Sequence, residues 1–503
     1  MQEGRILCDG TLNITDGVVF ENCSSIYYGG DICLYYGKVN ILGKVSFKDC
    51  CSGFGGAVYA VGSMLNISGT RENKVSFENC VATDKSDNPC GGAICYSMSS
   101  SDPISENIIF IDNATFKACK AVTDHNGWYS SGGAICTEGT SSTNYKGLIQ
   151  NTTFTDCSAE GVSSVYGGVL YNSYIDFKLD NVSIKNCSAK SSQEIVYGGA
   201  IYSYDNALLE LNNSTITGGT YEAAGMYGGA IDYYSGNGIQ QQLNLSGNTK
   251  INGIKFKNIK NILGNESYIC GDAIYTEADL HLTDNVEISD CVANVSKINT
   301  YYCGIYGAVY VAGSICIIDK NASIKNNSMT TDCNYSYIYG AGLCAIGCDL
   351  VISDNAAITG NKASNANGAL TAGGVYIHDP YSQKVVISDS AKITENMADK
   401  VNSNLCLYCK GDNAISLNIA EKFKGSIGVS LMDDPYDDYS VGDKVYITDE
   451  ISKNITKYVK SDLDNYKLNY DDTNKKLYID ILKGGLIASR SPDIIWPPQI
   501  LIS

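Results

Sequence analysis

The side chains that could carry acid–base chemistry are few and scattered along this chain. The three histidines and three arginines are His125, His281, His378, Arg5, Arg71 and Arg490. Glycoside hydrolysis needs two carboxyl groups at a defined separation, and no histidine has a clustered acid, base or nucleophile beside it at a matching offset. The sequence therefore predicts no catalytic residues. A polysaccharide-active lyase or glycoside hydrolase is kept as an alternative.

Cysteine is frequent, with 21 residues, but its spacing favours no metal centre. Cys406 and Cys409 form a Cys-x-x-Cys pair, and a structural zinc ion would need two more ligands that no second pair supplies. A redox role would need a βαβ context. We predict two structural cysteines here, with a local disulfide as the alternative.

An acidic stretch near the C-terminus offers carboxylates that could bind calcium. Its members are Asp433, Asp434, Asp437 and Asp438. Their spacing matches no EF-hand or other calcium loop, so a solvated acidic loop is expected. The sequence predicts no metal and no cofactor.

The elements that position these residues come from a repeat, a variation on Gly-Gly-Ala-Ile-Tyr, which we call the Gly-Gly motif. Clear copies begin at Gly55, Gly91, Gly132, Gly167, Gly198 and Gly228, and weaker ones stand at Gly29, Gly271, Tyr306, Gly340 and Ala372. The mean interval is about 34 residues, which is typical of solenoids and propellers. Asp232 replaces the usual Tyr or Cys at the fifth position of one copy, and an exposed substitution is the simpler interpretation.

Two further apolar patterns with period two recur in each interval and indicate strands. One is Leu-x-Ile/Leu, as in Leu65 to Gly69, and the other is Phe/Ile-x-x-Asn/Asp, as in Phe77 to Cys80. Three strands per repeat cannot bury an apolar face alone, so the repeats must stack. We predict an all-β, right-handed parallel β-helix solenoid of about eleven three-strand coils. A propeller is disfavoured because each blade needs a fourth strand.

Stacking in register predicts ladders of like side chains. Phe47, Phe77, Phe116 and Phe154 should form one buried ladder. The cysteines that end the same motif should mostly be reduced, because parallel Cβ vectors suit a disulfide poorly. These are Cys50, Cys80, Cys119 and Cys157.

The repeat predicts three segments. Residues 1–410 form the solenoid, residues 411–483 form a small β-rich C-terminal capping module, and residues 484–503 form a tail or linker. A cap is expected because open solenoid ends expose unpaired strand edges.

Composition narrows the classes of partner. The net charge is −18 and no basic stripe is present, which argues against nucleic acid. No apolar run reaches 18 residues, so we predict no membrane insertion by this segment. An export signal is not recognisable in this sequence.

Gly-Gly-Ala-Ile alternating with Phe-x-x-Asn over about positions 20 to 400 resembles the repeats of chlamydial polymorphic outer membrane proteins and related adhesin-like surface proteins. The resemblance implies a right-handed β-helix displayed outside the cell, at its surface, and acting in adhesion. The sequence departs from the chlamydial pattern because it lacks an autotransporter barrel. The export route therefore stays open.

These observations predict a non-catalytic surface protein that binds a glycan or protein ligand. The candidate binding residues are Trp128, Tyr129, Tyr166, Tyr197 and Tyr227. If they face outward, such aromatics would give rigid stacking platforms, and the alternative is that they brace the corner of the coil. A purely structural surface spacer is the third possibility.

Overall fold

The computed structural model places nearly all of the chain in β-strands, as the period-two patterns predict. It describes residues 6–83, 88–98, 107–141, 145–205, 208–234, 241–259, 266–297, 300, 302–366, 370–378, 384–410, 413–433, 444–464 and 466–482. The fold is a parallel β-solenoid of about ten turns, which confirms the predicted fold class. Two compact units divide the chain, at residues 1–263 with 272–292, and at residues 264–271 with 293–503.

Three columns of parallel strands build the first unit, one for each predicted pattern. The motif strands, which follow each Gly-Gly pair, are Ile6–Cys8, Ile32–Tyr35, Val58–Val61, Ile94–Ser97, Ile135–Glu138, Leu170–Ser173, Ile201–Tyr204, Ile231–Tyr234 and Ile274–Thr276. The leucine strands are Thr11–Ile14, Lys38–Leu42, Met64–Ser68, Asn107–Asp112, Tyr145–Gln150, Ile175–Asp180, Leu208–Asn212, Gln242–Ser246 and Asp279–Leu282. The phenylalanine strands are Val19–Glu21, Ser46–Lys48, Val75–Glu78, Ala114–Lys117, Thr153–Thr155, Ser183–Lys185, Thr215–Thr217, Lys250–Asn252 and Glu287–Ser289.

Two columns of shorter strands were not anticipated. One comprises Cys51–Ser52, Val81–Thr83, Lys120–Val122, Ser158–Gly161, Ser188–Ser191, Thr220–Ala223 and Lys255–Asn258. The other precedes the glycines and comprises Ser130–Ser131, Val165–Tyr166, Ile195–Tyr197 and Gly225–Tyr227. A coil therefore contains the three predicted strands and up to two more, some of which, such as Ser130–Ser131 and Val165–Tyr166, have only two residues.

The second unit repeats the same columns. Its motif strands are Val309–Val311, Leu343–Ile346, Val375–His378 and Leu405–Lys410, its leucine strands Ile315–Ile318, Asp349–Ile352, Val385–Ile387 and Asn413–Ile419, and its phenylalanine strands Ser323–Lys325, Ala357–Thr359 and Lys392–Thr394. The strands of its two additional columns are Ser328–Thr331, Lys362–Asn365, Met397–Ala398, Val401–Asn402, Glu266–Cys270, Tyr302–Tyr306, Tyr335–Tyr339 and Leu370–Thr371, and the strand Val292–Val295 contains the division point.

The C-terminal part of the second unit combines parallel and antiparallel pairing. Its elements are Ser426–Asp433, Lys444–Thr448, the 3-10 helix Lys453–Tyr458, Val459–Ser461, Tyr466–Asp471 and Lys476–Ile481. Ser426–Asp433 pairs in parallel with Leu405–Lys410, whereas the last two strands form an antiparallel pair. The boundary predicted at residues 410 and 411 stays a prediction, and the predicted tail from 484 lies outside the described residues.

The turn residues explain why both motifs recur. Asn79 ends a phenylalanine strand with φ of 53°, a left-handed conformation that Asn and Asp tolerate better than most residues. In the Gly-Gly pair, Gly55 has φ of 62°. A Cβ on Gly56 would lie 2.2 Å from the carbonyl oxygen of Gly92 in the next coil, so close stacking requires glycine at this position.

The predicted phenylalanine ladder is confirmed. Phe47 and Phe77 are fully buried, and their ring centroids lie 4.7 Å apart with an interplanar angle of 3°. The stack continues with 4.7 Å steps from Phe77 to Phe116 and from Phe116 to Phe154. These rings form the core of the first unit. The cysteines at the end of the same strands, Cys50, Cys80, Cys119 and Cys157, are buried and free.

Candidate functional site

The Gly-Gly turn of each coil bends the chain so that two columns of side chains face each other on the outside of the first unit. We call these the corner columns. The inner column, just before the glycines, holds Tyr28, Phe54, Cys90, Ser131, Tyr166, Tyr197 and Tyr227. The outer column, at the fifth motif position, holds Cys33, Tyr59, Cys95, Cys136, Tyr171, Tyr202, Asp232 and Tyr275.

Strand alternation turns the outer column away from the core. Val58 and Ala60 are fully buried, whereas Tyr59 between them is partly exposed. The two columns contact each other across the turn, as in the 4.5 Å separation of the Tyr28 and Tyr59 ring centroids. A mutually packed aromatic surface therefore follows the stacked coils.

Three of the predicted binding residues form one stack in the inner column. Tyr166 and Tyr197 lie 4.9 Å apart at 8°, and Tyr197 and Tyr227 lie 5.4 Å apart at 10°. Tyr166 and Tyr197 are half-buried, and Tyr227 is 6% exposed. Both faces of Tyr197 are covered, so the stacking-platform interpretation does not hold for this residue. These tyrosines brace the corner, and their role in binding stays a prediction.

Trp128 and Tyr129, the other two predicted residues, lie in an insertion before the inner column. Tyr129 is 42% exposed, and its ring meets Tyr166 edge-on at 5.6 Å. Trp128 is half-buried, with its ring 4.6 Å from that of His125. The structure thus brings all five predicted residues to one stretch of the corner, and Tyr129 in the insertion is the exposed member.

Hydrogen bonds attach this insertion to the neighbouring coils. The backbone N–H of Gly127 donates to Ser163 Oγ at 2.8 Å, and that of Tyr129 donates to Asn88 Oδ1 at 2.8 Å. One bond reaches the coil after the insertion and the other the coil before it. The aromatic side chains are therefore presented from an anchored backbone.

A cluster of three thiols in the corner columns was not found from the sequence. It spans two consecutive coils, with Cys90 and Cys95 in one and Cys136 in the next. The Sγ atoms of Cys90, Cys95 and Cys136 all lie within 4.8 Å of one another, and those of Cys90 and Cys95 are 3.1 Å apart. The three residues are 6%, 3% and 0% exposed. Burial raises the pKa of the Cys136 thiol well above its ordinary value, and a nearby thiol and the Glu138 carboxylate act in the same direction.

Further along the outer column, Asp232 is buried rather than exposed, which corrects the simpler sequence interpretation. Its side chain is 1% exposed between Tyr202 and Tyr275 in register, and its Oδ1 accepts no hydrogen bond. Burial, followed by the negative charge of Glu277, raises the pKa of this carboxyl well above its ordinary value. The hydroxyl of Tyr275 donates to Glu277 Oε1 at 2.5 Å.

The remaining sequence candidates are dispersed or not described. His281 lies on a leucine strand, and His378 lies on a motif strand with its Nδ1 2.8 Å from the Tyr376 hydroxyl. Cys406 is buried, and the side chain of Cys409 lies outside the described residues. In the acidic stretch, Asp434, Asp437, Asp438 and the side chain of Asp433 also lie outside them. A second group of possible metal ligands, Cys23, Asp31 and Cys50, is almost completely buried in the solenoid interior.

Comparisons with known protein families, with curated proteins and with solved structures found no match. Among the described residues, no helix has the length and apolar character needed to cross a membrane.

Proposed function

We propose that this protein is a non-catalytic, adhesin-like binding protein of the cell surface, and that the insertion carrying Trp128 and Tyr129 is its contact region. The observation that supports this proposal is the 42% exposure of Tyr129 on an insertion hydrogen-bonded to both neighbouring coils. A large exposed aromatic ring on an anchored backbone binds at little cost in conformational entropy.

The ligand that fits this region is a neutral or cationic glycan or protein surface. Aromatic faces pack against the apolar C–H groups of a sugar, and the neighbouring tyrosine edges supply hydroxyl groups for hydrogen bonds. The net charge of −18 repels polyanions, so acidic polymers and nucleic acids are poor partners.

A binding screen with matched variants tests the contact region. Purified protein is applied to glycan and protein arrays, together with the double variant Trp128→Ala/Tyr129→Ala and the control Tyr36→Ala, which removes a tyrosine that is 64% exposed in another coil. We expect the double variant to lose binding and the control to retain it, with unchanged circular dichroism in both. Equal binding by the double variant would move the contact region elsewhere, and no binding by the parent protein would favour the structural spacer.

The surface location is proposed from the motif resemblance and needs its own experiment. Intact cells that produce the full protein are treated with an external protease or an antibody against the solenoid. Digestion or labelling of intact cells supports surface display. Protection until the cells are lysed contradicts it.

One observation favours an enzyme as the second candidate. Asp232 lies beside Tyr275 in register, and the Tyr275 hydroxyl donates to Glu277 Oε1 at 2.5 Å, so two acidic residues lie near one tyrosine at the corner. Glycoside hydrolases use two carboxyl groups at a defined separation, one of them as a protonated acid. If the purified protein depolymerises a polysaccharide and Asp232→Asn abolishes that activity, the non-catalytic proposal is wrong.

A further inference from the structure

The aromatic character of the corner columns is interrupted in two consecutive coils. Where the flanking coils place Phe54 and Tyr59 on one side and Tyr166 and Tyr171 on the other, the coils between them place Cys90 with Cys95, and Ser131 with Cys136. The interruption therefore replaces four aromatic positions by three thiols and one hydroxyl.

The three sulfur atoms converge although two of them come from opposite sides of a turn. Cys90 and Cys95 flank the Gly91–Gly92 turn, and their Sγ atoms are 3.1 Å apart. Cys136 stands beside Cys95 in register, one coil further on. All three Sγ atoms lie within 4.8 Å of one another, a separation that three ligands of a single ion can reach with small side-chain rotations.

The thiols are surrounded mainly by aromatic rings, with the Glu138 carboxylate near Cys136, and they are slightly exposed at one edge. Phe54, Tyr59 and Tyr171 pack against the cluster, while Cys90 and Cys95 keep 6% and 3% of their surface exposed. An ion can therefore enter from solvent at the corner and be held where water is largely excluded. The interior group of Cys23, Asp31 and Cys50 lacks such an opening, with exposures of 1%, 0% and 0%.

The donor set selects the kind of ion. Thiolates bind soft ions such as Cu(I) and Zn(II). Zn(II) prefers four ligands and would need a water molecule or another donor besides the three cysteines grouped here among the described residues. A three-sulfur set instead suits a soft ion that accepts three-coordination.

We propose that Cys90, Cys95 and Cys136 bind one soft, thiophilic ion in three-coordinate geometry, with Cu(I) as the representative ion. Three S–H bonds break and their three protons leave to solvent as the three sulfurs bind the ion as thiolates. Copper remains Cu(I) throughout, so no oxidant or reductant is consumed. Three thiolates and one Cu(I) carry two net negative charges, so the copper–sulfur bonds must offset the cost of burying that charge.

The test is an anaerobic Cu(I) titration of the whole, reduced protein against a chromogenic Cu(I) chelator. We expect one tightly held equivalent that is lost in the triple variant Cys90→Ser/Cys95→Ser/Cys136→Ser. The control is Cys344→Ser, which removes a buried thiol at the same motif position where the neighbours in register are Tyr310 and Tyr376. This control should retain the equivalent.

Two further measurements keep the result decisive if the triple variant fails to fold. Alkylation of the parent protein followed by peptide mass spectrometry should show Cu(I) protecting Cys90, Cys95 and Cys136 together. X-ray absorption of the loaded protein should give three sulfur neighbours per copper. Copper uptake that protects other cysteines instead, a two-sulfur or four-ligand site, or no uptake above the chelator would each overturn the proposal.

Discussion

The phenylalanine ladder inside the first unit and the corner columns outside it are built by the same parallel stacking, yet they differ in composition. Four successive coils repeat Phe47, Phe77, Phe116 and Phe154 with steps of 4.7 Å. Over the same coils, the outer corner column changes from Tyr59 to two cysteines and back to Tyr171.

The difference shows where this fold tolerates variety. An interior position must fill a fixed volume between two identical neighbours, so a change of shape leaves a cavity or a clash. A corner position packs against the other column as well as against its neighbours in register, and these columns hold rings, thiols, a hydroxyl and a carboxyl group. The corner columns therefore vary more from coil to coil than the phenylalanine ladder does.

The largest loss of stability is expected when one ring is removed from the ladder. Phe77→Ala should lower the free energy of unfolding by about 3–5 kcal/mol, because a cavity opens between two stacked rings. Urea denaturation followed by circular dichroism measures the change, with Phe77→Leu as the matched variant of smaller cost. If Phe77→Ala cost no more than removing an exposed tyrosine, the ladder would not be the core of the unit.

The next largest effect on stability is expected at a carboxyl group buried in the interior. Asp272, at the position of the second glycine in its motif, is 0% exposed, and both of its carboxyl oxygens lack a hydrogen bond. Burial raises the pKa of this carboxyl in the folded protein. At pH values between the ordinary pKa of Asp and the raised pKa, the folded state therefore binds more protons than the unfolded state. The free energy of unfolding then falls as the pH rises through this range.

Asp272→Ala should therefore stabilise the protein at pH 8 more than at pH 4. Melting temperatures across that range measure the effect, and Asp290→Ala, which removes an aspartate at a strand turn with φ of 56°, serves as the matched control. A gain in melting temperature that is the same at both pH values would show that the carboxyl does not carry the proton.

A smaller effect is expected at the turns between strands. Ala118 has φ of 51° at the position where other coils place Asn or Asp. Because glycine adopts this left-handed conformation without strain, Ala118→Gly should stabilise the protein by about 0.5–1 kcal/mol. Ala121→Gly, in the adjacent strand Lys120–Val122, should destabilise it by about the same amount. Urea denaturation should therefore give changes in the free energy of unfolding of opposite sign for the two variants.

The smallest effect on stability should come from the exposed insertion. Tyr129→Ala removes a side chain that is 42% exposed, and we expect the free energy of unfolding to change by no more than about 0.5 kcal/mol. The same denaturation assay checks this. A larger loss would mean that Tyr129 braces the corner through its edge-on contact with Tyr166.

Much of the solenoid could be predicted from local patterns. Period-two alternation marks the leucine and phenylalanine strands, and the Asn, Asp and Gly residues mark their turns, because both signals depend on neighbouring residues alone. Strands of two residues, such as Ser130–Ser131 and Val165–Tyr166, carry no periodic signal and emerge only when a neighbouring coil supplies their hydrogen bonds.

The features of the corner columns can likewise be separated into those that the sequence determines and those that depend on the tertiary structure. The sequence by itself determined the order of the coils and the register of the ladders, since a fixed repeat places equivalent residues on equivalent strands. Tertiary structure alone decided that Tyr197 has both faces covered and that Asp232 is buried. It also decided that Cys90 meets Cys95 across a turn and Cys136 across a coil, because such contacts depend on how tightly the Gly-Gly corner bends and not on any spacing along the chain.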